Sequence, residues 1–186
     1  MSERLPLPEK IAALLPTYTA GGDSTSLITT EGATALVSCR IRSLLLRLAR
    51  SQAKDLTALK RQVACNTRQN ILQPLPLSAG LVLFPVKTRR PRVPGDPTTG
   101  YINLYAVAGL HKHTGSVCHT VITLSSGMEI PTLWSPATVN RHLLCARLAV
   151  AGPPRPAGSR GELGVTLNKL TEVIYEILAW KQNQHE

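Results

Sequence analysis

The chain has 186 residues, 43% of them hydrophobic, which is typical of one folded domain with a short appendage and excludes a wholly disordered chain. No stretch predicts a membrane-spanning helix and residues 1–15 lack a signal-peptide pattern, so we expect a cytoplasmic protein with four free cysteines. The net charge of +10 is concentrated in residues 40–160, where seventeen Lys and Arg accompany only three acids, and this favours a polyanionic partner over a merely basic surface.

The first forty residues predict a small antiparallel β-meander. Residues 11–18 are rich in β-forming side chains, and Pro16 within them suggests a strand at the edge of a sheet. Residues 26–30 and 33–38 are two further β-rich runs, and Glu31-Gly32 between them predicts a hairpin turn.

Two basic amphipathic helices are predicted next. Ile41, Leu44, Leu45 and Leu48 recur at helical spacing, and Asp55 is a candidate N-cap for a second helix. The outward faces of these helices, and the residue that follows them, supply four candidate DNA contacts: Arg47, Lys60, Arg61 and Arg68. Such point charges neutralise phosphates without reading bases, and a solvated helix face is the alternative interpretation.

The second half of the chain predicts further antiparallel strands and a capped helix. Residues 81–84 are continuously apolar and are followed by Pro85, which is typical of a strand covered on both faces that ends there. Three more predicted strands follow at residues 101–107, 117–124 and 128–133, the last two joined by a turn at residues 125–127. Ser135-Pro136 predicts the start of a helix that runs to about residue 150 and carries Arg141, a further candidate contact.

The end of the chain predicts a linker and a last helix. Residues 152–161 are rich in Pro and Gly, and residues 162–186 predict an amphipathic helix with a broad apolar stripe. Such a stripe requires a partner surface, so Leu170, Ile174 and Ile177 are candidates for packing in cis or for self-association. The predicted fold is therefore α+β: a domain over residues 1–151 with an antiparallel β-meander, further strands and basic amphipathic helices, then the linker and a C-terminal docking helix.

The segment that follows residues 81–84 is the most basic of the chain. Lys87, Arg89, Arg90 and Arg92 lie within six positions, among prolines that hold the backbone extended. An extended arm of arginines suits the narrow minor groove of A/T-rich DNA, where the phosphates focus negative potential. A solvated loop is the alternative, and the charge pattern alone does not distinguish DNA from RNA.

A metal centre or an enzyme has weaker support in the sequence. His111, His113, Cys118 and His119 are metal-ligand types, but a strand over this stretch would point Cys118 and His119 to opposite faces. No nucleophile, P-loop or dinucleotide motif is present, and carboxylates are scarce between residues 40 and 160. We therefore expect a protein without catalytic activity, metal or other cofactor. A metal-dependent enzyme that uses His111 and His113 is the alternative.

Six short stretches carry a family resemblance when they are taken in order. They are Ile11-Ala12-Ala13-Leu14-Leu15-Pro16, Thr67-Arg68-Gln69, Phe84-Pro85-Val86 to Arg89-Arg90-Pro91, Gly100-Tyr101-Ile102-Asn103, Val121-Ile122-Thr123-Leu124-Ser125-Ser126-Gly127 with Glu129-Ile130-Pro131, and Val173-Ile174-Tyr175-Glu176-Ile177-Leu178. In this order they resemble the ComK family of competence transcription factors over nearly the whole chain. The chain departs from the family in its Arg-Pro loop, which is longer and more basic.

The resemblance implies an activator of DNA-uptake genes that binds paired A/T-rich boxes of double-stranded DNA through the minor groove, as a homo-oligomer on the nucleoid. It also implies an adaptor that delivers the protein to a Clp protease. The residues themselves leave open an RNA- or single-strand-binding module, with Tyr101 and Tyr105 as stacking faces beside the basic loop. Packing of both tyrosines within the fold is the alternative to that stacking role.

Overall fold

The structure is a computed structural model that describes residues 5–115 and 117–151, and its fold is α+β, as predicted. Within these residues, two antiparallel sheets contain β1 (Ile11–Thr19), β2 (Gly22–Thr29), β3 (Thr34–Val37), β4 (Leu75–Ser78), β5 (Leu81–Lys87), β6 (Thr99–Asn103), β7 (Val107–Lys112), β8 (Thr120–Leu124) and β9 (Glu129–Thr132). The α-helices are α1 (Ile41–Ser51), α2 (Leu56–Thr67) and α3 (Pro136–Ala151). Short 3₁₀ turns lie at Pro8–Lys10 and Leu104–Ala106.

The larger sheet has six strands in the order β3-β2-β1-β6-β5-β4, and each neighbouring pair is antiparallel. The predicted meander of β1, β2 and β3 is confirmed, with Gly32 at a φ of 87° in its second turn. The prediction that β1 is an edge strand is wrong, because β1 lies between β2 and β6. Pro16 is tolerated there because β6 pairs only with Ala13 and Leu14 of β1. At Pro16 the strand therefore has one neighbour, β2, as an edge strand has.

The two predicted basic helices are confirmed, and their apolar stripes share a core with the larger sheet. Leu44 and Leu48 of α1 are fully buried in this core. Asp55 caps α2 as predicted, because its carboxylate accepts a hydrogen bond of 2.6 Å from the N–H of Ala58. The sheet contributes a set of buried leucines: Leu14, Leu27, Leu75, Leu77, Leu81 and Leu83. Burial of each such leucine contributes about 1.5–3 kcal/mol.

Strand β5 is covered on both faces, as predicted, but it does not end at Pro85. Residues 81–86 are all buried, and consecutive residues of a strand point to opposite faces. The strand continues through Pro85 to Lys87. Strand β4 pairs with β5 only as far as Leu83, so Pro85 again lies where the strand has one neighbour.

The prediction of one strand over residues 101–107 is wrong. Strand β6 ends at Asn103, a 3₁₀ turn follows, and β7 begins at Val107 and belongs to the second sheet. Asn103 causes this break, because its side-chain oxygen caps the turn by accepting a hydrogen bond from the N–H of Tyr105. Side chains between Asn103 and Val107 therefore do not alternate between two faces of a strand.

The same Asn103 amide ties the centre of the larger sheet together. It is 1% exposed, and its oxygen also accepts a 3.2 Å hydrogen bond from the N–H of Val82. Its nitrogen donates to the carbonyl oxygens of Ile11 at 2.9 Å and Gly80 at 3.0 Å. Because a buried amide without partners is costly, these bonds specify how β6 sits between β1 and β5.

The second sheet has three strands in the order β7-β8-β9. The predicted turn between β8 and β9 is confirmed, with Gly127 at a φ of 81°. Strand β8 begins only at Thr120, so the prediction of a strand from residue 117 is wrong at its start, and Cys118 and His119 lie in the preceding loop. Helix α3 begins as predicted, because the Ser135 hydroxyl accepts a hydrogen bond from the N–H of Thr138, and it packs against α2, β4 and β5.

The predicted linker of residues 152–161 and the predicted helix of residues 162–186, with Leu170, Ile174 and Ile177, lie outside the described residues. Within the described part, no helix has the length and hydropathy that crossing a membrane requires. All four cysteines are free thiols, as predicted.

We expect Asn103→Ala to lower the free energy of unfolding by about 3 kcal/mol, because buried N–H and carbonyl groups lose their partners. Urea unfolding followed by circular dichroism measures this value. Asn70→Ala is the matched control, since Asn70 is exposed, and we expect it to stay within about 0.5 kcal/mol of the wild type. Equal stability of the two variants would contradict the role of the Asn103 amide.

Candidate nucleic-acid interface

The predicted basic loop is the connection between β5 and β6, residues 88–98, which we call the arginine loop. Its base is closed by hydrogen bonds from the N–H groups of Thr88 and Arg89 to the carbonyl oxygen of Thr98. Its tip is the turn from Val93 to Asp96, whose ends are joined by a hydrogen bond of 3.3 Å. Pro94 at the second position and Gly95 at the third, with a φ of 89°, fit a type II turn.

The Asp96 carboxylate anchors the loop from inside. One of its oxygens accepts hydrogen bonds from the N–H groups of Arg92 at 2.7 Å and Val93 at 3.0 Å, and from the hydroxyl of Tyr18. The bond from Tyr18, followed by that from Val93, lowers the pKa of Asp96 below its ordinary value. Burial, followed by the bond to Asp96, raises the pKa of Tyr18. At neutral pH the carboxylate therefore stays ionised and the hydroxyl stays protonated, and this connection from β1 to the loop is maintained.

The ring of Tyr18 also forms cation–π contacts with two arginines. The guanidinium carbon of Arg89 lies 3.7 Å from the centre of the Tyr18 ring, and that of Arg92 lies 4.1 Å from it. Cations at these distances are attracted by the negative face of the ring. The aromatic ring therefore orients two of the predicted DNA contacts.

Arg89 is held within the protein, whereas Arg90 and Arg92 are exposed. Its side chain is 14% exposed, it donates to the Pro97 carbonyl at 2.7 Å, and it forms a 3.2 Å ion pair with Asp23. Asp23, 11% exposed, also pairs with Arg40 at 3.3 Å. Asp23 thus fastens the loop to β2, and it brings Arg40, which precedes α1, to the same surface.

The remaining loop cations are arranged outward. Arg90 and Arg92 are exposed, and Lys87 is half-buried at the end of β5. Lys87, Arg92 and Asp96 border an open groove of about 480 Å³, together with the residues of the loop tip. The structure therefore separates the four predicted loop contacts into one internal clamp, Arg89, two cations that border the groove, Lys87 and Arg92, and one further exposed cation, Arg90.

The other predicted contacts lie on the helices. They are all exposed: Arg47 on α1, Lys60 and Arg61 on α2, Arg68 at the end of α2 with a φ of 54°, and Arg141 on α3. The side chains of Lys60, Arg61, Arg68 and Arg141 make no hydrogen bond or ion pair with any described residue. Burial lowers the pKa of His142, and the positive charge of Arg141 lowers it further.

The residues of the two alternative hypotheses occupy different environments. Tyr101 packs against the core, and burial raises its pKa, whereas Tyr105 is exposed. One of the two proposed stacking faces is therefore largely covered. His111 and His113 are exposed, and over residues 5–115 and 117–151 no three His, Cys, Asp or Glu side chains form a group that could hold a metal ion.

Sequence reasoning missed Tyr18 and Asp23 as parts of this surface and did not connect Arg40 with the loop. Tyr18 and Asp23 lie more than sixty positions before the loop, in the hairpin of β1 and β2, and no local pattern connects them to it. The role of Asp96 was missed as well, although an acid after Pro-Gly in a basic loop is a signal for a carboxylate that bonds the turn's own N–H groups.

No protein-family model, no curated protein and no solved structure matches the chain.

We expect Asp23→Asn to lower the free energy of unfolding by about 2 kcal/mol, because it removes a charged partner from the largely buried Arg89 guanidinium. Glu31→Gln is the matched control, since the ion pair of Glu31 with Lys10 is exposed and contributes about 0.5 kcal/mol or less. Thermal and urea unfolding measure both values. If Asp23→Asn were as mild as Glu31→Gln, Asp23 would not be the fastening of the loop.

Proposed function

We propose that this domain binds double-stranded DNA and places the arginine loop in the minor groove of A/T-rich sites. The observation that carries the proposal is a loop of fixed shape that exposes Arg90 and Arg92 while its one acid, Asp96, is turned to donors of the protein itself. A loop held in one conformation loses little conformational entropy when it binds.

The charge around the loop supports a polyanionic partner. Residues 40–151 contain fifteen Lys and Arg but only three acids, Asp55, Asp96 and Glu129. Asp55 caps α2 and Asp96 bonds the turn, so two of the three acids are engaged by backbone N–H groups and not by cations. The positive potential of this surface is left to attract phosphates.

Two physical arguments favour a duplex and its minor groove. The guanidinium group is weakly hydrated, and the narrow minor groove of A/T-rich DNA focuses negative potential, so exposed arginines are stabilised there. Binding of single strands uses several accessible aromatic faces, and of the two candidate tyrosines Tyr105 is exposed whereas Tyr101 is packed against the core. The duplex is therefore the partner that fits this surface best.

The resemblance to the ComK family extends the proposal to regulation. It makes the chain a transcriptional activator of DNA-uptake genes that acts as a homo-oligomer on the nucleoid and is controlled by an adaptor of a Clp protease. Self-association through Leu170, Ile174 and Ile177 stays a prediction. The proposal requires no catalytic group, metal or other cofactor.

Fluorescence anisotropy on three labelled duplexes tests the proposal. One duplex carries two A-tracts about one helical turn apart, one is G/C-rich, and one is the A-tract duplex preloaded with a minor-groove drug. We expect the tightest binding to the A-tract duplex and loss of that preference with the drug. Equal, salt-sensitive binding to all three would contradict the A/T preference, and tighter binding to the single strand would favour the alternative module.

The double variant Arg90→Ala/Arg92→Ala tests the loop itself. We expect the affinity for the A-tract duplex to fall at least about tenfold, and the slope of log K against log salt to become shallower by about 2, because two phosphate-facing cations are removed. Arg89 is left unchanged, since its loss would loosen the loop. Lys10→Ala, at the opposite end of β1 from Tyr18, is the control for loss of charge alone. An unchanged slope in the double variant would exclude the loop from the interface.

A further inference from the structure

The tip of the arginine loop is apolar, although the loop is otherwise cationic. Val93 is 59% exposed, and the prolines on either side of it, Pro91 and Pro94, are exposed as well. Arg90 and Arg92 lie within three positions of it. A single exposed valine is common on protein surfaces, but this one lies on a stiff turn and beside two cationic side chains.

The tip is stiff because of its turn residues and the hydrogen bonds that hold them. Pro94 and Gly95 form the corner of a type II turn, and the N–H of Asp96 bonds the carbonyl of Val93. The N–H of Val93 bonds the Asp96 carboxylate. That carboxylate is bonded in turn by Tyr18, which belongs to the central strand β1. Proline at the corner removes one further degree of freedom from the backbone.

A partner for such a tip must offer apolar surface inside an anionic frame. A protein core or a neutral lipid surface would bury the valine but would leave the arginines without an anionic partner. A simple anion would pair with the arginines but would leave the valine exposed to water. A stack of base pairs approached from the minor groove offers both, because separating two of the pairs exposes apolar base faces between two rows of phosphates.

We propose that Val93 and Pro94 form a wedge that enters between two base pairs from the minor groove and bends the duplex. This inference rests on the proposed function and adds to it an activity, the deformation of DNA. A wedge must keep its shape while it separates stacked bases, and the hydrogen bonds of Asp96 and Tyr18 give the loop tip this rigidity. Arg90 and Arg92 then hold the phosphates on either side of the opened step.

The wedge also gives a physical source of sequence preference. A step that unstacks easily costs less to open, so pyrimidine–purine steps such as TA would be favoured at the point of insertion. The preference arises although Val93 and Pro94 have no hydrogen-bonding side chain that reads a base.

The test measures bending separately from binding. A duplex of about 30 base pairs with A-tracts around a central TA step carries a donor dye at one end and an acceptor dye at the other. At saturating protein, we expect the wild type to raise energy transfer, as a bend of about 20–90° requires. A second duplex with 2-aminopurine at the TA step reports unstacking as an increase in fluorescence.

Three variants separate the wedge from other effects. Val93→Ser is expected to lose most of the change in energy transfer and in 2-aminopurine fluorescence at saturation, while Val93→Ile retains both. Val117→Ser is the matched control, because Val117 is a valine of 45% exposure outside the loop, and it should behave as the wild type. Unchanged melting temperatures of the variants show that they fold.

The outcomes distinguish this inference from the function on which it rests. Tight A-tract binding by the wild type without a change in energy transfer would overturn the wedge and leave the proposed function intact. Bending by Val93→Ser equal to that of the wild type would also overturn it. Failure of the wild type to bind any duplex would overturn both proposals.

Discussion

Four hydrogen bonds from one buried amide connect the strands at the centre of the larger sheet. The Asn103 oxygen accepts from the N–H groups of Val82 and Tyr105, and its nitrogen donates to Ile11 and Gly80. A shift of β6 by one residue would turn this amide to the other face of the sheet and leave those groups unpaired. The amide therefore selects one register for β6, and the register places the start and end of the arginine loop side by side, with Lys87 opposite Thr99.

The two carboxylates that contact the arginine loop, Asp96 and Asp23, both stabilise its shape. Asp96 bonds backbone N–H groups of the loop, and Asp23 bonds Arg89 from β2. Both carboxylates act on groups that shape the loop, and neither pairs with Arg90. Tyr18 contributes at the same point, because its hydroxyl bonds Asp96 and its ring carries the guanidinium groups of Arg89 and Arg92. The result is a positive surface of fixed shape, which is the property that the proposed recognition of DNA requires.

Local patterns predicted the elements that depend on neighbouring residues alone. The apolar stripe of α1 and the caps Asp55 and Ser135 were all found in this way, because helical periodicity and capping involve residues three or four positions apart. The break after β6 was missed, although its cap on Tyr105 is local, because the Asn103 amide is held in place by Ile11 and Val82 from two other strands. Strand β4 was missed as well, since it has four residues, one of them Pro76, and is defined by its pairing with β5.

The sequence by itself determined the fold class, the basic helices and the concentration of positive charge in one proline-rich loop. It could not determine what each cation of that loop does. Arg89 and Arg90 are adjacent and chemically identical, yet one is clamped by Asp23 and Tyr18 and the other is exposed. Only the tertiary structure decided this, because the clamp comes from a hairpin more than sixty positions away, and the pairing of strands, not the local sequence, brings that hairpin to the loop.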